Sequence, residues 1–525
     1  MSRDRLKRLY DLHSWTGVLM GLFIFVVCFS GVTATFRHHL DRWEDPARQR
    51  AVESVTGNVH EVLTRRVEEL GQTGNIVFLG VGYPTEKEPY ITTRIRVADP
   101  ETSAAETLVE RWDADTGEKL PERGLGATHW LFAFHTHLML PSPFGSYLVG
   151  IAGLLLLLSV VTGLLTHRKM IREAFTWRLD RSVRLKWQDS HKAMGLWLAP
   201  FHAMIALTGA LLGLAGLLLI AVGLLAFDGD TNTLRSEMVA AAGIPAPAGI
   251  EAEMISLDNA FEIATKEAGV QPVAVNIFAW GDQNALYRTL FAPDKALSLY
   301  GNVDISGATG EVVRFSQTMQ DGSGGVALNM ATALHFGSYG GLALLVLYGL
   351  MGTALCVVTA TGLMMWIERR RHGAEGGRPD WVYNALSRVV VGLCCGQVLA
   401  SAAILPVDQF LAVAPEARLG VIGWTFFLVW GTAIAYALVR RQEYGATREL
   451  LAVAGLALIA APLAVATTNG LPVINPLDPN HGPAAAFGWG IAVTGLFVLL
   501  VAWRLPKQRP SSFQQKAAHA HVSAQ

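Results

Sequence analysis

The sequence predicts a mainly α-helical, polytopic membrane protein with two α+β modules set between its spans. Three observations carry this reading. Of 525 residues, 51% are hydrophobic and only 16% are charged, where a soluble domain has about 25% charged. Eight apolar runs are each long enough to cross a bilayer, which takes about 20 helical residues. Lys and Arg gather in alternate connections between those runs. The same composition excludes a disordered chain and a disulfide-stapled secreted domain. With 42 basic and 43 acidic residues the net charge is −1, so no basic field calls for nucleic acid. Cys28, Cys356, Cys394 and Cys395 lie in apolar runs and form no CxxC pair. Structural zinc, iron–sulfur and thioredoxin-type sites therefore lack their motif.

The apolar runs fall near residues 16–36, 146–166, 196–226, 340–367, 389–410, 418–439, 449–468 and 485–503. The first lacks the small-residue cleavage site of a signal peptide and reads as a retained anchor. Basic clusters sit at Arg3–Arg8, after the second run (Arg168–Lys186), after the fourth (Arg369–Arg378), after the sixth (Arg440, Arg441, Arg448) and after the eighth (Arg504–Arg509). If eight helices alternate, all five clusters share one side, the cytoplasm, with both termini. The domain plan is then 1–40, N-terminus and first span; 41–130, outward module; 131–167, second span; 168–190, cytoplasmic loop; 191–227, third span. It continues with 228–334, second outward module; 335–368, fourth span; 369–388, cytoplasmic loop; 389–505, four C-terminal spans; and 506–525, cytoplasmic tail. In the modules, Ile91–Val97 alternates apolar and polar residues as a half-buried strand does. Residues 112–118 and 303–311 read as strand, turn, strand, and 61–70 and 257–268 as helices.

The first four spans form an internal repeat. Asp11, His13 and Gly17 recur as Asp189, His191 and Gly195, an offset of 178 that also takes Ser30-Gly31 to Thr208-Gly209. The segment from His135 and His137 to Thr162-Gly163 echoes that from His335 to Thr361-Gly362. Helix, outward module, helix thus occurs twice in parallel, and the last four spans stand outside the repeat.

Histidine placement is the most informative feature. His13 and His191 lie at the inner starts of spans one and three, and His135, His137 and His335 lie just before spans two and four, at the outer face. A single histidine at a helix end is more often an interfacial polar residue than a ligand. Repeat-related histidines on facing helices are the arrangement that supplies both axial ligands of a haem. His13 with His191 defines an inner site, and His137 or His135 with His335 an outer one. His202 lies eleven residues after His191, about three turns along on the same helical face, and is an alternative inner ligand. Gly17, Gly31, Gly163, Gly195, Gly209 and Gly362 leave room for porphyrin planes. Trp130, Phe132 and Phe134 read either as an interfacial belt or as a surface for an aromatic substrate. His38 and His39 read as solvated loop residues.

His13-Ser14-Trp15-Thr16-Gly17, the Thr-Gly pairs at span ends, Leu334-His335-Phe336-Gly337 and the turns Asp113–Glu118 and Asp304–Glu311 occur in an order that resembles the PepSY-associated transmembrane family, over roughly residues 1–370. Its members include inner-membrane reductases of iron–siderophore complexes and proteins induced by iron limitation. The resemblance implies a bacterial inner (cytoplasmic) membrane protein holding haem b, two per chain. It implies His13, His191, His137 and His335 as axial ligands of haem iron, with His135 and His202 as alternatives. The implied substrate is a ferric siderophore in the periplasm, and the implied product Fe(II). No catalytic side chain is assigned, since no Ser-His-Asp, HExxH or P-loop pattern occurs. The longest cytoplasmic loop has about 25 residues, less than the roughly 30 of one dinucleotide-binding βαβ unit. Electrons are therefore expected from quinol or from a separate cytoplasmic reductase. A periplasmic iron-binding or transport protein is a further expected partner. The rival readings are a PepSY protein regulating a periplasmic peptidase and a component of an iron or siderophore transport system.

Overall fold

The computed structural model describes residues 2–45, 48, 58–71, 75–85, 88–98, 105–166, 175, 183–226, 228–229, 245–292, 301–316, 323–371, 379–440, 442–470, 474–478 and 481–507. Of the loop expected at 168–190, residues 168–174 and 176–182 lie outside the described residues, as does the tail expected at 506–525 from residue 508 on.

The first helix, α1 (Arg3–Ala34), begins well before its apolar run because Ser2 caps it, accepting from the Arg5 amide. A short helix, α2 (Arg37–Glu44), follows. His38 and His39, expected in a loop, lie on it, and the His39 ring stacks on Phe487 at 5.4 Å. Next come α3 (Val59–Gly71), β1 (Asn75–Gly82), β2 (Ile91–Ala98) and β3 (Ala105–Trp112). The second polar segment contributes α9 (Leu257–Ala268), β4 (Ala274–Phe278), β5 (Leu286–Phe291), β6 (Gly301–Ser306) and β7 (Val312–Ser316).

The two polar segments do not make two sheets. They share one antiparallel sheet of seven strands in the order β3-β2-β1-β4-β5-β6-β7. At the seam Leu79 faces Ile277 and Val81 faces Val275. Apart, β1 and β4 would each present an open edge with unpaired backbone groups, and pairing them removes both. The sheet alternates as strands must: Ile91, Thr93 and Ile95 are buried, and Arg94 and Arg96 on the opposite face are exposed. α3 and α9 cover the apolar face, bringing Val59, Val62, Leu63, Leu257 and Phe261 onto Leu79, Ile95, Val275 and Ile305.

The membrane part contains α5 (Phe144–Thr166), α6 (Val183–Trp197), α7 (Ala199–Gly213), α8 (Ala215–Ala226) and α11 (Gly341–Arg371). Two short helices, α4 (Ala127–His137) and α10 (Ser323–Phe336), precede α5 and α11. The C-terminal helices are α12 (Asp380–Phe410), α13 (Pro415–Val439), α14 (Glu443–Asn469) and α15 (Gly482–Arg504). Seven of these helices are long and apolar enough to cross a membrane, and the bent pair α6–α7 makes an eighth. The third span, expected as one helix over 196–226, is instead three pieces, with a 69° bend between α6 and α7. Pro200 in the first turn of α7 explains the break, because it has no N–H to continue the ladder. α5 and α7 touch backbone to backbone, since a Cβ on Gly213 would lie 2.6 Å from the Gly150 Cα.

The C-terminal bundle is built around α12. Of its spanning window 61% is buried, against 22–39% in the other six single spans. The bundle docks on the first half through two indoles and a charge cluster. The Trp43 ring sits against Gly488 of α15, and Trp130 of α4 sits against Gly423 of α13. Trp130 and Phe134 are 1% and 4% exposed and pack on Phe426 at 4.2 and 5.2 Å. They are bundle contacts, neither interfacial nor open to a substrate. Asp408, fully buried, accepts from Arg418 Nε at 2.9 Å and from Arg123 Nη2 at 3.0 Å. Glu44 beside it accepts from the Thr128 amide and hydroxyl at 3.0 and 2.7 Å.

Asp408→Ala is expected to cost about 3–5 kcal/mol, because the buried Arg418 guanidinium and the partly buried Arg123 guanidinium lose a counter-charge. Earlier thermal unfolding of the purified protein is the readout. Burial first, then the Asp408 charge, hold the Glu44 carboxyl well above the ordinary glutamate range. The folded state then keeps a proton that the unfolded chain has lost, so stability falls as pH rises from about 4.5 through the folded pKa. Glu44→Gln is expected to flatten that slope in melts run across pH.

Candidate functional site

Four histidines are held in one recurring way. His13 Nδ1 lies 2.9 Å from the Ser159 carbonyl oxygen, His191 Nδ1 2.8 Å from that of Val358, and His135 Nδ1 3.0 Å from that of Val27. His335 Nδ1 lies 2.9 Å from the Thr208 hydroxyl and also bonds the Ile205 carbonyl. Each carbonyl stands three residues before a Ser or Thr and four before a Gly: Ser30-Gly31, Thr162-Gly163, Thr208-Gly209 and Thr361-Gly362. The glycine opens the approach. A Cβ on Gly31, Gly163, Gly209 or Gly362 would lie 2.9–3.1 Å from the Cε1 of its histidine. These four glycines therefore make room for imidazoles. Gly17 and Gly195, each one turn beyond a histidine on its own helix, face open space or a single contact at 3.9 Å. They are the ones that leave room beside the rings.

The helices bring the four rings together as two pairs. His13 of α1 and His191 of α6 have ring centroids 6.2 Å apart with planes at 68°. His135 of α4 and His335 of α10 are also 6.2 Å apart, with planes at 13°. Half of 6.2 Å is about 3.1 Å, the sum of about 2.0 Å from a first-row metal to an imidazole nitrogen and about 1 Å from that nitrogen to the ring centre. A carbonyl only accepts, so it fixes the proton on Nδ1 and makes Nε2 the unprotonated nitrogen, the one able to donate to a metal. Among the described residues no three His, Cys, Asp or Glu side chains converge on one point, so these sites offer two protein ligands each. The His135–His335 pair lines a cavity of about 290 Å³ whose other walls are largely apolar, Val149, Leu156 and Leu355 among them.

The remaining histidines are placed differently. His137, two residues beyond His135, has its Nδ1 3.0 Å from the adjoining Thr136 hydroxyl and joins neither pair. His202 is 1% exposed and bonds the Met351 backbone, and its Nε2 has no partner. Like His191, it faces α11, at Met351 rather than Val358, across the bend between α6 and α7. His129, which the sequence reading passed over, lies near Arg37 and His137, and burial with those charges pushes its pKa down. The hydroxyls of Ser30, Thr162, Thr208 and Thr361 were legible only as family-like pairs. Their repetition at matching offsets was the signal for their role.

All four paired imidazoles are expected to be Nδ1–H tautomers when free of metal, read from ¹⁵N-histidine NMR of the labelled protein. A proton on Nε2 of any of them contradicts the arrangement. Gly31→Ala drives a methyl onto His135 and is expected to abolish that residue's Nδ1–H signal alone.

The sequence model described as the PepSY-associated TM region matches residues 10–369. That stretch runs from α1 almost to the end of α11, includes all four paired histidines with their glycines, and leaves α12–α15 outside. The chain is also similar to an uncharacterized protein of Pseudomonas aeruginosa, 29% identical over 355 residues, which are 64% of this chain and 85% of that protein. With its repeat and its match over more than half its length, this chain belongs to the PepSY-associated transmembrane family.

Proposed function

We propose that the protein is a haem b-dependent ferric-siderophore reductase of the bacterial inner membrane, carrying electrons outward through two haems. The observation that carries the reading is the pair of 6.2 Å imidazole couples, each ring bonded through Nδ1 to a neighbouring helix. Two neutral imidazoles so spaced, beside glycine-opened gaps or an apolar cavity, fit a haem better than a bare ion, which needs more protein ligands. His13 and His191 would hold one haem, and His135 and His335 the other. When bound, such a group supplies one-electron transfer.

The chain's own part is positional. The carbonyls of Ser159, Val358, Val27 and Ile205 fix tautomer and ring orientation and raise the basicity of Nε2. Largely apolar walls surround the His135–His335 cavity. In this reading that pair lies at the periplasmic end, under the shared sheet, where a ferric chelate docks. Siderophores grip Fe(III) through hard anionic oxygens, and Fe(II) is held far more weakly. One electron therefore frees the metal without hydrolysis of the chelator, and no general acid or nucleophile is required. Quinol or a cytoplasmic reductase supplies the electrons in this scheme. The peptidase-regulating and transport readings leave the four Nδ1-bonded imidazoles without a role.

Protein purified after expression with ample haem is expected to show reduced b-type bands, and a pyridine haemochrome assay about two haems per chain. His13→Ala or His191→Ala should lose one haem and His135→Ala or His335→Ala the other, while His137→Ala and His202→Ala keep both. Dithionite-reduced protein should be reoxidised by ferric siderophore, with Fe(II) trapped by a ferrous chelator. Colourless protein ends this proposal.

A further inference from the structure

The C-terminal bundle reaches the His135 cradle at one point. Gln397, fully buried in the middle of α12, donates from Nε2 to the Val26 carbonyl of α1 at 2.9 Å. Its Oε1 has no donor among the described residues. An amide at membrane depth with half its capacity unmet is a poor way to pack two helices, and a leucine would serve stability better. Its position gives it another use. Val26 immediately precedes Val27, whose carbonyl accepts the His135 Nδ1 proton.

The Ser30 hydroxyl connects the two carbonyls. It has one proton and two carbonyl acceptors in range, those of Val26 and Val27, and it also lies 3.4 Å from His135 Nδ1. At the three threonine steps the hydroxyl lies closer to the earlier carbonyl and leaves the later one to the histidine. The distances are 2.6 against 3.2 Å for Thr162, 2.7 against 3.0 Å for Thr361, and 2.7 against 3.3 Å for Thr208. At Ser30 they are equal, 2.9 and 2.9 Å. This is the step at which Gln397 takes up the earlier carbonyl. Ser30 is thereby turned toward Val27, and that oxygen is shared between Ser30 and His135.

We propose that Gln397 is a positioning residue for His135: by occupying the Val26 carbonyl it directs the Ser30 proton onto Val27 and weakens the Nδ1–H bond of this one histidine. The inference rests on the haem reading above for its redox consequence. A weaker Nδ1–H bond makes Nε2 a weaker donor, which favours ferrous over ferric iron. The haem on the His135 side then has the higher potential, and electrons run toward the sheet end.

The test uses the full-length protein. In haem-free protein, Gln397→Leu is expected to move the His135 Nδ1–H proton downfield, as a stronger hydrogen bond does, with His13 and His191 unmoved. In the loaded protein, spectroelectrochemical titration should show one midpoint moving negative and the other fixed. Ser30→Ala, a small change that keeps the helix, should move the same signal and the same midpoint in the same direction. Combined, the two substitutions should shift no further than Ser30→Ala alone, since both act through one oxygen. Additive shifts, movement of both midpoints together, or an unmoved His135 proton overturn the inference. Absence of haem from the wild type overturns the redox consequence and the functional reading together, while the His135 proton shift still decides the hydrogen-bond assignment.

Discussion

A helix carbonyl has two lone pairs, and the helical ladder uses one of them. The second is normally screened by the side chains of the following turn. Placing glycine four residues on strips that screen, and an imidazole from a neighbouring helix can then reach the oxygen. This contact occurs at the carbonyls of Ser159, Val27, Val358 and Ile205, and it dictates which helices are neighbours. α1 must lie against both α5 and α4, α6 against α11, and α10 against α7. The bundle of the first half follows from these four demands together with the close approach of α5 and α7 at Gly150 and Gly213. The pairing across the two repeats then needs no further device, because each repeat presents one ring at each depth.

Much of this was written in local pattern. Apolar length marked the spans, alternation at Ile91–Val97 marked β2, and the run 257–268 is α9 to the residue. The offset of 178 linked His13 to His191 and Ser30-Gly31 to Thr208-Gly209. What failed did so where the deciding partner was distant. His135 and His137 lie two residues apart, and spacing favours neither. The choice between the rings is made by Gly31, more than a hundred residues earlier. The broken third span did have a local mark, Pro200, which an apolar count overlooks. The β1–β4 seam leaves no local trace, since each strand reads the same whether its edge is open or covered. The role of α12 was also invisible, because a glutamine in an apolar run is equally a packing defect or a contact.

The C-terminal bundle is more than an added block of helices. It holds α2 and α4 through Trp43, Trp130 and the Arg123–Asp408–Arg418 cluster, and it enters the histidine cradle through Gln397. Low dielectric makes each of these polar contacts costly to leave half made. The bundle is therefore bound tightly to the very helix that carries His135, although it lies beyond the stretch matched by the family model.

The shared sheet also sets an order of assembly. Leu79 and Ile277 are nearly two hundred residues apart in the chain, and α5 to α8 lie between them. The first three strands are complete long before β4 is synthesised, and until then the β1 edge is bare. It stays open while two spans, α5 and the broken α6–α8, are threaded into the membrane, for a time set by the ribosome rather than by diffusion. A cell making this protein must shield that strand or move it quickly. A fault in inserting the bent third span would leave the edge exposed and prone to pairing with the wrong chain.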